Sequence, residues 1–185
     1  MRHFAAVRSL LAIVFFAVPG CAPATSICAG SDTCPIAVCD RCSSACTEQA
    51  RCTYSGRHDT VTTCSASSVC TGQLGDRTSA DCADQASCTF SVGHDATFTC
   101  ENASNCSLTA GDRASFTCVD GVHCQLTAGH DARLTCDRGA FCSFTAGERA
   151  QVICSNGSHC DVTCASCTLQ CLSGSACTCS GNGCP

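Results

Sequence analysis

The chain has no lysine and no tryptophan, and only four prolines, one methionine and one tyrosine in 185 residues. All ten basic residues are therefore arginine. Arg2 and Arg8 stand at the extreme N-terminus, so the rest of the chain sets eight arginines against 15 acids, a balance of about −7. That sign, with no basic patch, excludes a nucleic-acid-binding reading. Long apolar runs are lacking too. Leu10 to Val18 is the one such run, preceded by Arg2 and Arg8, and it is too short to span a bilayer; residues 1–20 read as a signal peptide. The sequence carries no nucleophile elbow, no glycine-rich phosphate loop and no convergent pair of carboxylates. The expectation is a protein that is not an enzyme and needs no cofactor or metal.

What the chain has is cysteine, 25 of 185 residues, far above the level that marks a disulfide scaffold. Such a chain belongs in an oxidising compartment, so it is expected to be secreted or anchored to the outer cell surface. Two processing sites compete after the apolar run. Val18-Pro19-Gly20-Cys21 resembles a bacterial lipobox, which would make Cys21 the lipid attachment site and that lipid the only membrane contact. Ala22-Pro23-Ala24 fits an ordinary signal-peptidase site. Either route takes Cys21 out of the thiol pool and leaves 24 cysteines, an even number suited to complete pairing. Residues 21–27 read as a short linker.

The remaining cysteines keep a fixed period. Cys28, Cys46, Cys64, Cys82, Cys100, Cys118, Cys136 and Cys154 stand 18 residues apart. Each is followed six residues later by Cys34, Cys52, Cys70, Cys88, Cys106, Cys124, Cys142 or Cys160. A fixed period of this size marks a repeat architecture. Within one unit, Cys88, Phe90 and Val92 alternate with Thr89 and Ser91, and Ala96, Phe98 and Cys100 alternate with Thr97 and Thr99. Period-two alternation predicts strands with one buried face, and Gly93-His94-Asp95 predicts a tight turn between them. Stacked units give an all-β fold, a disulfide-braced flattened two-sided β-solenoid with 18-residue coils. Eight coils are expected over 28–160, followed by a Cys-rich cap over 161–185. The bend glycines Gly75, Gly93, Gly111, Gly129 and Gly147 are read as a need for positive φ.

The six-residue spacing suggests that each cysteine pair closes its own turn, Cys171 with Cys177 included. Cross-coil pairs such as Cys88–Cys106 fit the same spacing. Cys39 with Cys42 and Cys164 with Cys167 are read as local bridges bracing the two ends, and Cys179 with Cys184 as a last pair. The C-x-x-C spacing also suits zinc or a redox dithiol. No thioredoxin-like βαβ pattern surrounds it, so a structural bridge is preferred.

A second period, of 36 residues, follows the bend. The pairs there run Asp40-Arg41, His58-Asp59, Asp76-Arg77, His94-Asp95, Asp112-Arg113, His130-Asp131 and Glu148-Arg149. In a stack, each column alternates in charge, which replaces repulsion with attraction and fixes the stacking order. The histidines would lie two coils apart, about 9–10 Å, too far to share one metal ion.

The outward positions after each second cysteine are mostly hydroxyls. Thr53, Thr71, Thr89, Ser91, Ser107, Thr109, Thr127, Ser143 and Thr145 form the candidate binding face. Threonine also suits the solvated side of any strand. Asn102, Asn105 and Asn156 open glycosylation sequons, relevant in a eukaryotic secretory pathway.

Cysteine every six residues, short C-x5-C turns and outward threonines make residues 28–177 resemble the beetle hyperactive antifreeze proteins. That resemblance implies a small disulfide-braced β-helix binding ice through a flat threonine array. The coil here is longer than the beetle repeat, and Thr-Cys-Thr does not occur in it. The Cys-rich C-terminal run and lipobox are similar to those of Cys-rich repeat surface lipoproteins of soil bacteria. The sequence thus points to a structural or adhesive role, with ice binding as the alternative. The partner is an unidentified surface ligand: glycan, cell surface or ice.

Overall fold

The structure, a computed structural model, describes residues 25–181 and 184. The segment read as a signal peptide, Cys21, read as a lipid attachment site, and residues 22–24 of the expected linker lie outside the described residues. Two nine-stranded parallel sheets face each other. One, sheet A, holds β1 (Thr25–Cys28), β3 (Ser43–Cys46), β5 (Val61–Cys64), β7 (Ser79–Cys82), β9 (Thr97–Cys100), β11 (Ser115–Cys118), β13 (Arg133–Cys136), β15 (Ala150–Cys154) and β17 (Cys167–Cys171). The other, sheet B, holds β2 (Thr33–Val38), β4 (Arg51–Gly56), β6 (Val69–Leu74), β8 (Ser87–Val92), β10 (Asn105–Thr109), β12 (His123–Ala128), β14 (Phe141–Ala146), β16 (His159–Cys164) and β18 (Ala176–Ser180). Each strand pairs in register with the equivalent strand of the next coil, as Phe98 does with Phe116 and Cys100 with Cys118. The fold is the expected β-solenoid of 18-residue coils.

Burial follows the alternation. Strand β8 reads half-buried, buried, exposed, buried, exposed, buried along Ser87–Val92. Its inward residues meet those of sheet A in a core one side chain deep per sheet. Phe98 and Phe116 stack with ring centroids 5.7 Å apart and planes at 10°, and Phe144 meets Phe116 edge-on at 6.0 Å. In the inward column of sheet B a glycine lies between two rings. Tyr54 leans over Gly72, where a Cβ would collide with it, and meets Phe90 at 5.7 Å. Burial pushes the Tyr54 hydroxyl up to about 12, with the Ser44 hydroxyl acting the other way.

Twelve disulfides brace the stack. Nine of them join cysteines six apart across one turn, from Cys28–Cys34 to Cys171–Cys177, with Cα atoms 6.2–6.7 Å apart. The turns they close are tight. Thr47 to Ala50 forms a hydrogen-bonded β-turn with positive φ at both Glu48 and Gln49, the pattern of a type I′ turn. Three further bridges are Cys39–Cys42, Cys164–Cys167 and Cys179–Cys184.

Both ends of the solenoid differ from the sequence reading in extent. Thr25 to Ile27, placed in the linker, pair with Ser43 to Ala45 as part of β1. Residues 161–180, placed in a cap, continue both sheets through β16, β17 and β18. The bend between Cys164 and Cys167 is one residue shorter, so register passes from an offset of 18 at Ala146↔Cys164 to 17 at Ala150↔Cys167. A turn absorbs the deletion and the strands keep their pairing.

Candidate binding face

The bend edge and the outward side of sheet B frame the candidate site. At the bend, the glycines correct the sequence reading. Gly75, Gly93, Gly111, Gly129 and Gly147 are not the positive-φ residues; those are Arg77, Asp95, Arg113, Asp131 and Arg149, at φ of 54–58°. The backbone N–H of such a residue donates to the next coil, as Arg77 N does to His94 O at 2.8 Å. The glycines are needed for room. A Cβ at Gly111 would lie 2.8 Å from His94 Nδ1, and one at Gly93 would overlap the Asp76 carboxylate.

Those side chains occupy that room because they accept backbone hydrogen bonds. His58, His94 and His130 N–H donate to the Oδ1 of Asp40, Asp76 and Asp112 at 3.0, 2.8 and 2.8 Å. In the alternate coils, Asp76, Asp112 and Glu148 N–H donate to the Nδ1 of His58, His94 and His130 at 3.0, 2.9 and 3.1 Å. The first column is thus a continuous side-chain-to-backbone ladder, and each Nδ1 acts as an acceptor. The second column is not continuous. It resolves into bidentate pairs, Asp59–Arg77, Asp95–Arg113 and Asp131–Arg149, with N···O distances of 2.6–2.9 Å. Each of these carboxylates turns both oxygens to the arginine of the following coil, and the arginine of the preceding coil acts on it only through its charge. The arginine hydrogen bond holds Asp59, Asp95 and Asp131 below the usual carboxylate range.

The disulfide edge groups the coils in the same pairs. The sulfurs of Cys64, Cys82 and Cys88 lie within 4.8 Å of one another, as do those of Cys100, Cys118 and Cys124 and those of Cys136, Cys154 and Cys160. Each trio spans the two coils that an Asp–Arg pair joins at the bend. Sulfur contacts and Asp–Arg pairs thus repeat as doublets of 36 residues, while the first-column ladder and the Asp84–Asn102 and Asp120–Arg138 contacts link one doublet to the next. Every sulfur in these trios is in a disulfide.

On sheet B the hydroxyl positions are exposed and in register. Thr53, Thr71, Thr89, Ser107, Gln125, Ser143 and Asp161 form one column. Ser91, Thr109, Thr127, Thr145 and Thr163 form the next, with Ser55 and Gln73 before them. The face is not flat. A shallow open groove of about 430 Å³ runs along it between the first column and the outward residues that precede each second cysteine. Thr89, Ser107 and Ser143 line it; Thr109, Thr127 and Thr145 do not.

The sequence reading passed over the other wall. Asn105, His123, Phe141 and His159 stack there in successive coils. His123 and Phe141 rings lie parallel, 5.0 Å apart at 10°, and His159 is 6.3 Å beyond. His159 Nε2 is 3.6 Å from Asp161 Oδ1. The available signal was the 18-residue recurrence of rings at one outward register position. The chain matches no protein-family model, no curated protein and no solved structure, so its architecture rests on its own repeat and geometry.

Proposed function

We propose that this protein is a non-enzymatic extracellular rod, structural and adhesive in role, which uses the outward side of sheet B as its contact face. Twelve disulfides fit an oxidising extracellular environment. The observation that carries the reading is the pair of exposed, in-register columns of uncharged polar side chains running from Thr53 and Ser55 to Ser143 and Thr163. Such an array offers donors and acceptors at a constant step of about 4.8 Å. The acids of the bend are committed to arginines or backbone N–H groups, which supports a scaffold role for them. The partner surface is glycan or another cell.

Flow retention tests this. Beads coated with oxidised protein are settled on cells of the source culture and washed under shear. Retention above albumin-coated beads, lost after reduction, is expected; equal wash-off contradicts the adhesive role. For the surface anchor, mass spectrometry of the mature N-terminus decides: acylated Cys21 supports it, and a free Thr25 terminus contradicts it.

Ice binding is the second reading, favoured by one observation. Thr109, Thr127, Thr145 and Thr163 occupy four successive coils of one column, all exposed. Thermal hysteresis of oxidised protein, abolished by Thr127→Lys without unfolding, would replace adhesion with ice binding. Its absence leaves the adhesive reading alone.

A further inference from the structure

Every coil of a solenoid meets the same structural demands, so a residue that departs from its column needs a reason other than the fold. On sheet B the column before each second cysteine varies, as Thr33, Arg51, Val69, Ser87 and Asn105, but its rings gather in one place. Most outward positions are serine or threonine, yet His123, Phe141 and His159 form a row of rings on one wall of the groove, and Gln125 and Asp161 interrupt the hydroxyls on the other. Phe141 is 51% exposed and stands outside the core, so packing does not explain it. Its equivalents in the three preceding coils are Ser87, Asn105 and His123, all polar, and the earlier Val69 is apolar but smaller and only half-exposed.

We propose that this groove binds a neutral, linear polysaccharide lying parallel to the rod axis. The inference rests on the adhesive reading and names its ligand. Three features of the groove select that class. It is elongated: Ser87 to His159 is four coil steps, about 19 Å, which suits a short stretch of polymer rather than a compact metabolite. It is amphipathic across its width. One wall is a strip of rings, against which the C–H face of a pyranose loses water, and the other carries an amide, a hydroxyl and a carboxylate that exchange hydrogen bonds with sugar hydroxyls. It also has little charge. No arginine lines it and Asp161 is its one acid, so an anionic polymer finds no guanidinium partner there. A few placed polar groups beside an apolar strip is the usual anatomy of a small-ligand site.

Affinity electrophoresis tests the proposal. Oxidised protein is run through native gels containing hydroxyethyl cellulose, pullulan or dextran, with heparin in a fourth gel. At least one neutral polymer is expected to retard the protein, and heparin is not. Phe141→Ala and Gln125→Ala should each weaken that retardation by about tenfold or more. Thr135→Ala, on the opposite sheet, should leave it unchanged. Both groove residues are exposed, so unchanged circular dichroism is expected and is checked first. Retardation by none of the neutral polymers, strongest retardation by heparin, or full retardation of Phe141→Ala each overturns the proposal. The bead assay separates this failure from that of the adhesive reading. If coated beads hold to cells but no neutral polymer binds, the groove assignment is wrong and adhesion stands. If wild-type beads wash off, adhesion itself fails whatever the gels show.

Discussion

Asp76 Oδ1 accepts the backbone N–H of His94, one coil away, at 2.8 Å, and the same carboxylate fills the space that a Cβ on Gly93 would need. One coil on, His94 Nδ1 accepts the N–H of Asp112 and crowds Gly111 in the same way. Gly93→Ala is therefore expected to destabilise by overpacking, about 1–3 kcal/mol. Replacing Asp76 with Ala in that background should recover part of the loss. Gly139→Ala is the contrasting case. Its φ is 73° with open space around it, so its cost is the left-handed penalty of about 1–2 kcal/mol and no second-site change relieves it. Guanidinium unfolding of the oxidised variants measures all three. Equal behaviour of Gly93 and Gly139 would contradict the steric account.

The Asp–Arg pairs give the rod an acid-sensitive edge. Arg113 holds Asp95 below its ordinary carboxylate range, and Arg77 and Arg149 do the same for Asp59 and Asp131. A folded-state value below the unfolded one stabilises the fold above roughly pH 4, and the stabilisation is lost as pH falls through the folded value. Melting temperature is expected to fall between about pH 5 and pH 2. Arg113→Ala should lower it at neutral pH and flatten that fall. These pairs lie at the solvated edge, so the same difference should shrink in high salt.

The aromatic spine sets core stability. Phe116 is 1% exposed and lies between Phe98 and Phe144. Phe116→Ala is expected to cost about 3–5 kcal/mol in oxidised protein. Phe141→Ala, on the surface, should change unfolding little, which calorimetry on the pair would show.

Doublets predict where thiol exchange can travel. Cys106→Ser leaves Cys100 with a free thiol, whose sulfur position is within 4.8 Å of Cys118 and Cys124. Its thiolate attacks the Cys118–Cys124 bond, forms Cys100–Cys118 and releases Cys124 as the thiolate. Alkylation and peptide mapping at mildly basic pH should find Cys124 labelled and Cys82–Cys88 intact. Labelling of Cys82 or Cys88 would contradict the doublet grouping.

The coil is legible in the sequence because alternation and cysteine period both report on backbone geometry that each unit repeats. Phe90 and Phe98 point inward for the reason that Thr89 and Thr97 point out. The bend was less legible. A glycine at position 93 is the same letter whether φ or space demands it, and only the neighbouring coil's Asp76 distinguishes them. The pairing of Arg113 with Asp95 rather than a uniform ladder depends on side-chain reach, which charge alternation does not encode. The ring row was hidden for another reason. His123, Phe141 and His159 are 18 apart, but each precedes a cysteine whose stronger rhythm defines the pattern.

Peptide mapping of the native disulfides tests the architecture most directly. Proteolysis of oxidised protein at low pH, followed by mass spectrometry, should find Cys82–Cys88, Cys100–Cys106 and Cys118–Cys124 closed within their own turns, and Cys39–Cys42 and Cys164–Cys167 across the bend. A native bridge between equivalent cysteines of successive coils, such as Cys88–Cys106, would contradict it.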